Sequence, residues 1–202
     1  GWSPHQHLAT RQNYGAMVEN IDARVGDFLD YLEDHDQLDN TLIVYSSDHG
    51  EMLGDFGAWA KRLPYQPSIG VPLAIRGPRV KGNQRIEAPT EVLDVMGTFL
   101  DFAGLDIDDA MDCRSLRPVL EGETDRVRNT VFTGLGHWRA VLRDEWKLVV
   151  GFDPGETLDI RSPEIHPEPL ALYNLAADPW ENHNVAGEYP EIVADLSREL
   201  PS

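Results

Sequence analysis

The chain has 202 residues, 41% of them hydrophobic, which is enough to bury a core as one domain or as one domain with a small appendage. Its formal net charge of −18 argues against binding to nucleic acid or to an anionic membrane surface. No run approaches the roughly 20 apolar residues of a membrane-spanning helix, and the single cysteine, Cys113, excludes an internal disulfide.

The first part of the chain is predicted to form a helix, a strand, a loop and a second strand. Residues 14–32 have apolar side chains at the spacing of one face of an α-helix. Residues 41–47 and 71–76 are short apolar runs typical of buried strands in a parallel sheet. Between them, residues 50–70 are rich in glycine and aromatic side chains and are predicted to form a long ordered loop.

A second helix is predicted over residues 91–103, with Thr90 as its N-cap and Gly104 at its end. Its apolar side chains are expected to face inward: Val92, Leu93, Met96, Phe99 and Leu100. A helix followed by a strand is the repeating unit of a parallel α/β sheet, so we expect that class of fold.

After about residue 122 the pattern changes to short strands joined by tight turns. Strands are predicted at 131–133, 139–142, 146–150 and 172–175, a proline-containing loop at 153–169, and a final helix from about 190 to 200. We therefore expect two units, an α/β unit at 1–125 and a small α+β unit with an antiparallel sheet at 126–202.

Asp48, His49 and Gly50 directly follow the strand at 41–47. Open α/β sheets bind their ligands beyond the carboxyl ends of strands, and a carboxylate beside an imidazole suits a divalent cation. Lys61 follows on the next loop, where its ammonium group could balance charge on an anionic substrate. An ordinary polar turn and a solvated surface lysine are the alternative interpretations.

Several segments together resemble the carboxyl-terminal half of the sulfatase family, within the alkaline-phosphatase superfamily. They are residues 39–55, 59–62, 65–73, 91–94, 114–118, 146–148 and 172–182. The resemblance implies the carboxyl half of an alkaline-phosphatase-like parallel-sheet sandwich, followed by the small α+β unit. Position by position, it implies that Asp48 and His49 bind the metal ion and that Lys61 contacts the sulfate group.

The same resemblance implies calcium as the first choice of cation, manganese as the second, and a formylglycine nucleophile made from Cys or Ser in a Cys/Ser-x-Pro-x-Arg motif. Cys113 and Arg117 have the spacing of that motif but lack its proline. No catalytic residue is therefore assigned in this chain. Because the sequence also begins with Gly1 rather than Met, we expect a fragment or truncation that lacks the nucleophile half and is inactive in isolation.

Four further side chains are weaker candidates. His5 or His7, which precede the first predicted helix, could protonate a leaving group, although loop histidines are mostly solvated. His137 could line the rim of a pocket and Trp59 could stack on a leaving group, with packing and anchoring of a loop as the alternatives. Two residues stand where the family commonly has histidine and glutamate: Phe56 and Gln66.

We therefore expect a sulfatase-like, metal-dependent hydrolase of small-molecule sulfate esters. Hydrolysis of phosphonate monoesters or phosphodiesters is the alternative within the superfamily, and a non-catalytic truncated module is the alternative outside it. Without the first strands of the sheet, an edge and an apolar face would be uncovered. We expect that face to pair with a second copy or with the missing amino-terminal half.

Overall fold

The computed structural model describes residues 2–153 and 168–200. Its helices are Pro4–Asp34 (α1), Gln66–Ile69 (α2), Asp94–Phe102 (α3), Arg117–Leu120 (α4) and Pro190–Ser197 (α5). Its strands are Ile43–Ser46 (β1), Leu73–Arg76 (β2), Thr130–Leu135 (β3), Trp138–Arg143 (β4), Trp146–Val150 (β5) and Leu170–Asn174 (β6). Within the described residues, no helix combines the length and the apolar character needed to cross a membrane. Most of the loop predicted at 153–169 lies outside the described residues.

Helix α1 begins well before the predicted start at residue 14. Ser3 caps it, because its hydroxyl oxygen accepts the Gln6 N–H at 3.3 Å while the Gln6 side-chain oxygen accepts the Ser3 N–H at 2.8 Å. His5 and His7 therefore lie in the first turn of α1, and the prediction that they precede the helix was wrong. The predicted apolar face of α1 is largely exposed, and Leu32 is its buried residue.

Strands β1 and β2 form a two-stranded antiparallel sheet, with Ile43 opposite Arg76. The prediction of a parallel arrangement was wrong for this pair of strands. A parallel connection needs a crossover of a dozen or more residues, usually a helix, that returns the chain to the same end of the sheet. Here residues 47–72 contain only the one-turn helix α2 and a 3₁₀ turn at Asp55–Gly57, and the chain simply doubles back.

Helix α3 begins later than predicted and turns a different face inward. Leu93 rather than Thr90 is its N-cap, and the Thr90 hydroxyl instead donates to the Ala88 carbonyl at 3.0 Å. The buried side of α3 consists of Asp94, Gly97 and Thr98, which hydrogen bond to or pack against residues 113–116. Four of the apolar side chains that were predicted to face inward are exposed: Val92, Leu93, Met96 and Phe99.

The second sheet has the order β3-β4-β5-β6 and is antiparallel throughout, which confirms the predicted small antiparallel sheet. Alternate residues of its strands pack against opposite layers, as the two-residue period of a strand requires. One face, which includes Ala140 and Val149, packs against Leu63 and Tyr65 of the long loop. The other face packs against α5 through Leu196. The loop and the small sheet therefore share one core, and the division of the chain near residue 125 stays a prediction.

Candidate functional site

The chain turns sharply after β1, and this turn places Asp48 and His49. The Ser47 hydroxyl donates to the His49 carbonyl at 2.8 Å, and the Gly50 N–H donates to the Ser68 carbonyl at 2.8 Å. A Cβ atom at Gly50 would lie 2.0 Å from the carbonyl oxygen of Pro67, so only glycine fits this close approach. The backbone reverses beyond β1, and glycine is required there by contact rather than by a positive φ angle.

The three predicted site residues converge. Lys61 Nζ lies 2.7 Å from His49 Nε2, and His49 Nε2 lies 3.5 Å from Asp48 Oδ2. On the other side of the ring, His49 Nδ1 lies 2.8 Å from the Gly50 carbonyl oxygen. A carbonyl only accepts, so Nδ1 carries the hydrogen, and an ammonium group only donates, so Nε2 accepts from Lys61 Nζ. The imidazole is thus held in the tautomer that a metal ligand needs.

The charges around Asp48 favour its ionised form. Desolvation is the largest single influence on its pKa and acts to raise it, but the pKa still lies below its ordinary value of 3.8. The opposing causes are an electrostatic contribution from His49, hydrogen bonds from the Asp48 and His49 backbone, and the charge of Lys61. The His49 N–H donates to Asp48 Oδ1 at 3.0 Å. The carboxylate is therefore ionised and accessible at neutral pH.

A cavity of about 680 Å³ opens beside these residues. Asp48, His49 and Lys61 line it, together with Thr133 of β3 and His137 of the turn that joins β3 to β4. This volume lies in the range of small-molecule sites, and its lining combines charged, polar and apolar groups. The predicted position of His137 at a pocket rim is consistent with this arrangement.

The other candidates lie outside this cavity. His7 and Trp59 belong to an aromatic cluster in which Trp59 stacks on Trp2 with ring centroids 4.4 Å apart. This contact matches the alternative interpretation of Trp59 as an anchor of the loop. Cys113 is partly buried against Gly97 of α3. Phe56 stacks on Tyr65 with ring centroids 4.0 Å apart, and it therefore contributes to packing rather than to the cavity wall.

Two residues at the site carry groups that suit a divalent cation. Asp48 and His49 offer one carboxylate and one correctly oriented imidazole nitrogen, which are suitable donors for a divalent cation. Within residues 2–153 and 168–200, no three His, Cys, Asp or Glu side chains are grouped so that they could hold a metal ion. The site therefore fits a cation only when further ligands come from outside the described residues.

A buried ion pair next to the loop that contains Lys61 was not predicted from the sequence. Lys147 on β5 and Glu181 beyond β6 have fully buried side chains and form a salt bridge. Burial lowers the pKa of Lys147, while the charge of Glu181 and its hydrogen bond act to raise it. The two-residue period of β5 could have revealed the burial of Lys147, since it places this side chain on the same face of the strand as the buried Val149.

Both the sequence and the structure place the chain in a known family. The chain belongs to the sulfatase family, whose sequence profile matches residues 3–105. N-acetylglucosamine-6-O-sulfatase of Bacteroides thetaiotaomicron is 40% identical over 214 residues, which cover 98% of this chain and 36% of that protein. Choline-sulfatase of Rhizobium meliloti is 33% identical over 178 residues, which cover 84% of this chain and 34% of that protein. The chain thus spans about a third of the length of these relatives.

Solved structures give the same fold. A protein in complex with its substrate D-glucosamine-2-N,6-O-disulfate superposes with a TM-score of 0.76 and 30% identity, covering 91% of this chain and 38% of that chain. A phosphonate monoester hydrolase of Agrobacterium radiobacter superposes with a TM-score of 0.81 and 27% identity, covering 98% of this chain and 42% of that chain. The structure is therefore the carboxyl-terminal half of the alkaline-phosphatase-like fold, as the sequence predicted.

Proposed function

We propose that this chain provides the anion-binding and part of the metal-binding machinery of a sulfate ester hydrolase. The observation that supports the proposal is the convergence of Asp48, His49 and Lys61 on one cavity, with Lys61 Nζ 2.7 Å from His49 Nε2. In a chain of net charge −18, such a local group is what makes an anionic substrate acceptable.

Each residue has a distinct role in the proposal. Lys61 donates hydrogen bonds to the non-bridging oxygens of the ester and balances the charge that builds on them in the transition state. Asp48 and His49 hold a divalent cation, calcium first and manganese second, which would polarise the same oxygens as a Lewis acid. The Nδ1 hydrogen bond of His49 to Gly50 leaves Nε2 as the ring nitrogen that would bind the cation, in place of its contact with Lys61 Nζ.

The nucleophile is proposed to come from outside these 202 residues. No Cys/Ser-x-Pro-x-Arg motif occurs in the sequence, and the family relatives are about three times as long as this chain. We accordingly expect no turnover of an aryl sulfate by the 202-residue chain alone. Measurable hydrolysis that survives repurification and is lost in Lys61→Met would contradict this part of the proposal.

Two polar side chains that line the cavity suggest the kind of alcohol that leaves. Thr133 and His137 can hydrogen bond to the hydroxyl groups of a sugar, which a planar aryl group lacks. The 40% identity to an N-acetylglucosamine-6-O-sulfatase agrees with a sulfated sugar as substrate. Phosphonate monoester hydrolysis is the second candidate, because the Agrobacterium radiobacter enzyme superposes over 98% of this chain.

Anion binding tests the central role of Lys61. Titration calorimetry with inorganic sulfate and with glucosamine 6-sulfate, in the presence of calcium, should give affinities at least tenfold weaker for Lys61→Met, since a hydrogen bond to a charged group contributes about 1.5–3 kcal/mol. Lys81→Met is the matched control, because Lys81 lies beside Gly122, away from the cavity. Equal affinities for the two variants would refute the assignment. Methylphosphonate, titrated in parallel, tests the second candidate.

A further inference from the structure

Three backbone groups after Lys61 are held by side chains of the small-sheet unit. Trp138 Nε1 donates to the carbonyl oxygen of residue 62 at 3.1 Å, and Lys147 Nζ donates to the carbonyl oxygen of residue 64. Glu181 Oε2 accepts the N–H of residue 66 at 2.6 Å. Residues 62, 64 and 66 are thus each held by a backbone hydrogen bond to one of these side chains. The three side chains that form these bonds lie outside the loop at residues 47–72.

The charged members of this set are unusual in their burial. The side chains of Lys147 and Glu181 are both 0% exposed, and Lys147 Nζ also lies 5.9 Å from the centre of the Tyr173 ring. Taking two charges out of water is costly, and well-packed apolar residues of similar size often stabilise a protein as well or better. The pair is therefore poorly explained by stability alone. The better explanation is that the pair fixes the groups it contacts in a single geometry.

The loop around Lys61 needs such support. Ala60 and Arg62, its neighbours in sequence, have φ angles of +67° and +94°, which residues with a Cβ rarely adopt. Backbone in these regions persists only where surrounding contacts determine it. On the other side of the segment, Glu51 accepts the Ala60 N–H at 2.5 Å. Both sequence neighbours of Lys61 thus have a positive φ angle, and both are held by hydrogen bonds to side chains from other segments.

We propose that Lys147 and Glu181 are positioning residues for Lys61. By fixing the backbone at residues 64 and 66, the buried pair keeps the strained segment in place and holds Lys61 Nζ at its 2.7 Å distance from His49 Nε2. The small sheet thereby sets the geometry of a site that faces the loop after β1. The importance of this geometry depends on the anion-binding role proposed for Lys61, but the position of Lys61 is measurable without any ligand.

The lysine content of the chain makes a direct measurement possible. The chain has three lysines, Lys61, Lys81 and Lys147, so selective ¹³Cε labelling gives three NMR signals that single replacements assign. In Glu181→Gln, we expect the Lys61 signal to move toward the position of a free, solvated lysine, because its anchor is weakened. The Lys81 signal should stay unchanged and serves as an internal reference.

A matched control separates positioning from general loss of stability. Asp94→Asn disrupts a second buried ion pair, with Arg128, which does not contact the loop that contains Lys61. At an equal loss of unfolding free energy, this variant should leave the Lys61 signal where it is. If Glu181→Gln does not fold, Trp138→Phe is the second test, since it removes the hydrogen bond to the carbonyl of residue 62 and should shift the Lys61 signal in the same direction.

The outcomes distinguish this inference from the proposed function. The positioning role would be overturned by a Lys61 signal that is unchanged in folded Glu181→Gln and Trp138→Phe. It would also be overturned by a Lys61 signal that moves as far in Asp94→Asn as in Glu181→Gln. A Lys61 signal that responds to Glu181→Gln but not to added sulfate supports the positioning role and contradicts the anion-binding role. A Lys61 signal that responds to added sulfate but not to Glu181→Gln contradicts the positioning role and leaves the anion-binding role in place.

Discussion

Asp94, at the start of α3, is the centre of a buried network whose removal should be costly. Its carboxylate accepts the Glu91 N–H at 3.0 Å, the Arg114 N–H at 2.8 Å and Arg128 Nε at 3.0 Å, and it also pairs with Arg128 Nη2. Its side chain is 0% exposed and that of Arg128 is 7% exposed. The network connects α3 to residue 114 and to the chain just before β3.

The expected cost follows from what Asp94→Asn leaves behind. The amide keeps the shape of the side chain, but it has one oxygen for several donors and turns its own N–H groups toward at least one of them. Breaking a buried ion pair typically costs about 3–5 kcal/mol. Glu91 stays 2.9 Å from Arg128 and compensates part of the charge. We therefore expect a loss of about 3 kcal/mol, or roughly 6–12 °C in melting temperature for a chain of this size.

Urea unfolding followed by tryptophan fluorescence, together with calorimetry, measures this loss. Asp125→Asn is the control, because the carboxylate of Asp125 lies 3.6 Å from Arg126 and is 82% exposed. Exposed pairs of this kind contribute about 0–1 kcal/mol. A loss for Asp94→Asn that is no larger than that of the control would refute the reasoning that burial makes this network important.

Three further predictions concern acid, assembly and metal. A hydrogen bond from Arg143 holds the pKa of Asp195 below 3.8, so this pair stabilises the fold above that pH and the contribution is lost as pH falls through the lowered pKa. Arg143→Met should therefore lower the melting temperature at neutral pH and make its fall below about pH 4 shallower; an unchanged acid profile would contradict this. Exposed apolar side chains on α1 and α3 should cause self-association that increases with salt, and Ile21→Asp should reduce it in light scattering; a monomer at all concentrations would count against it. Asp48 and His49 supply two ligands where calcium takes about six to eight, so calorimetry should find no micromolar calcium site in this chain.

Local patterns predicted much of the fold. The strands at 131–133, 139–142 and 146–150 were found because alternation and tight turns are properties of neighbouring residues. The direction of β1 against β2 was missed, because it depends on how residues 47–72 return rather than on the strands themselves. The buried face of α3 was also missed, since polar contacts of Asp94 and Thr98 with residues far along the chain determine it.

The sequence by itself determined that Asp48 and His49 follow a strand, that glycine comes after them, and that the chain resembles the carboxyl-terminal half of a sulfatase. Only the tertiary structure decided that Lys61, twelve residues after His49, comes within 2.7 Å of the imidazole. It also decided that a lysine on β5 is buried against a glutamate and donates to the carbonyl oxygen of residue 64. The physical reason is that spacing and alternation act along the chain, whereas burial and hydrogen bonding depend on which distant segments meet.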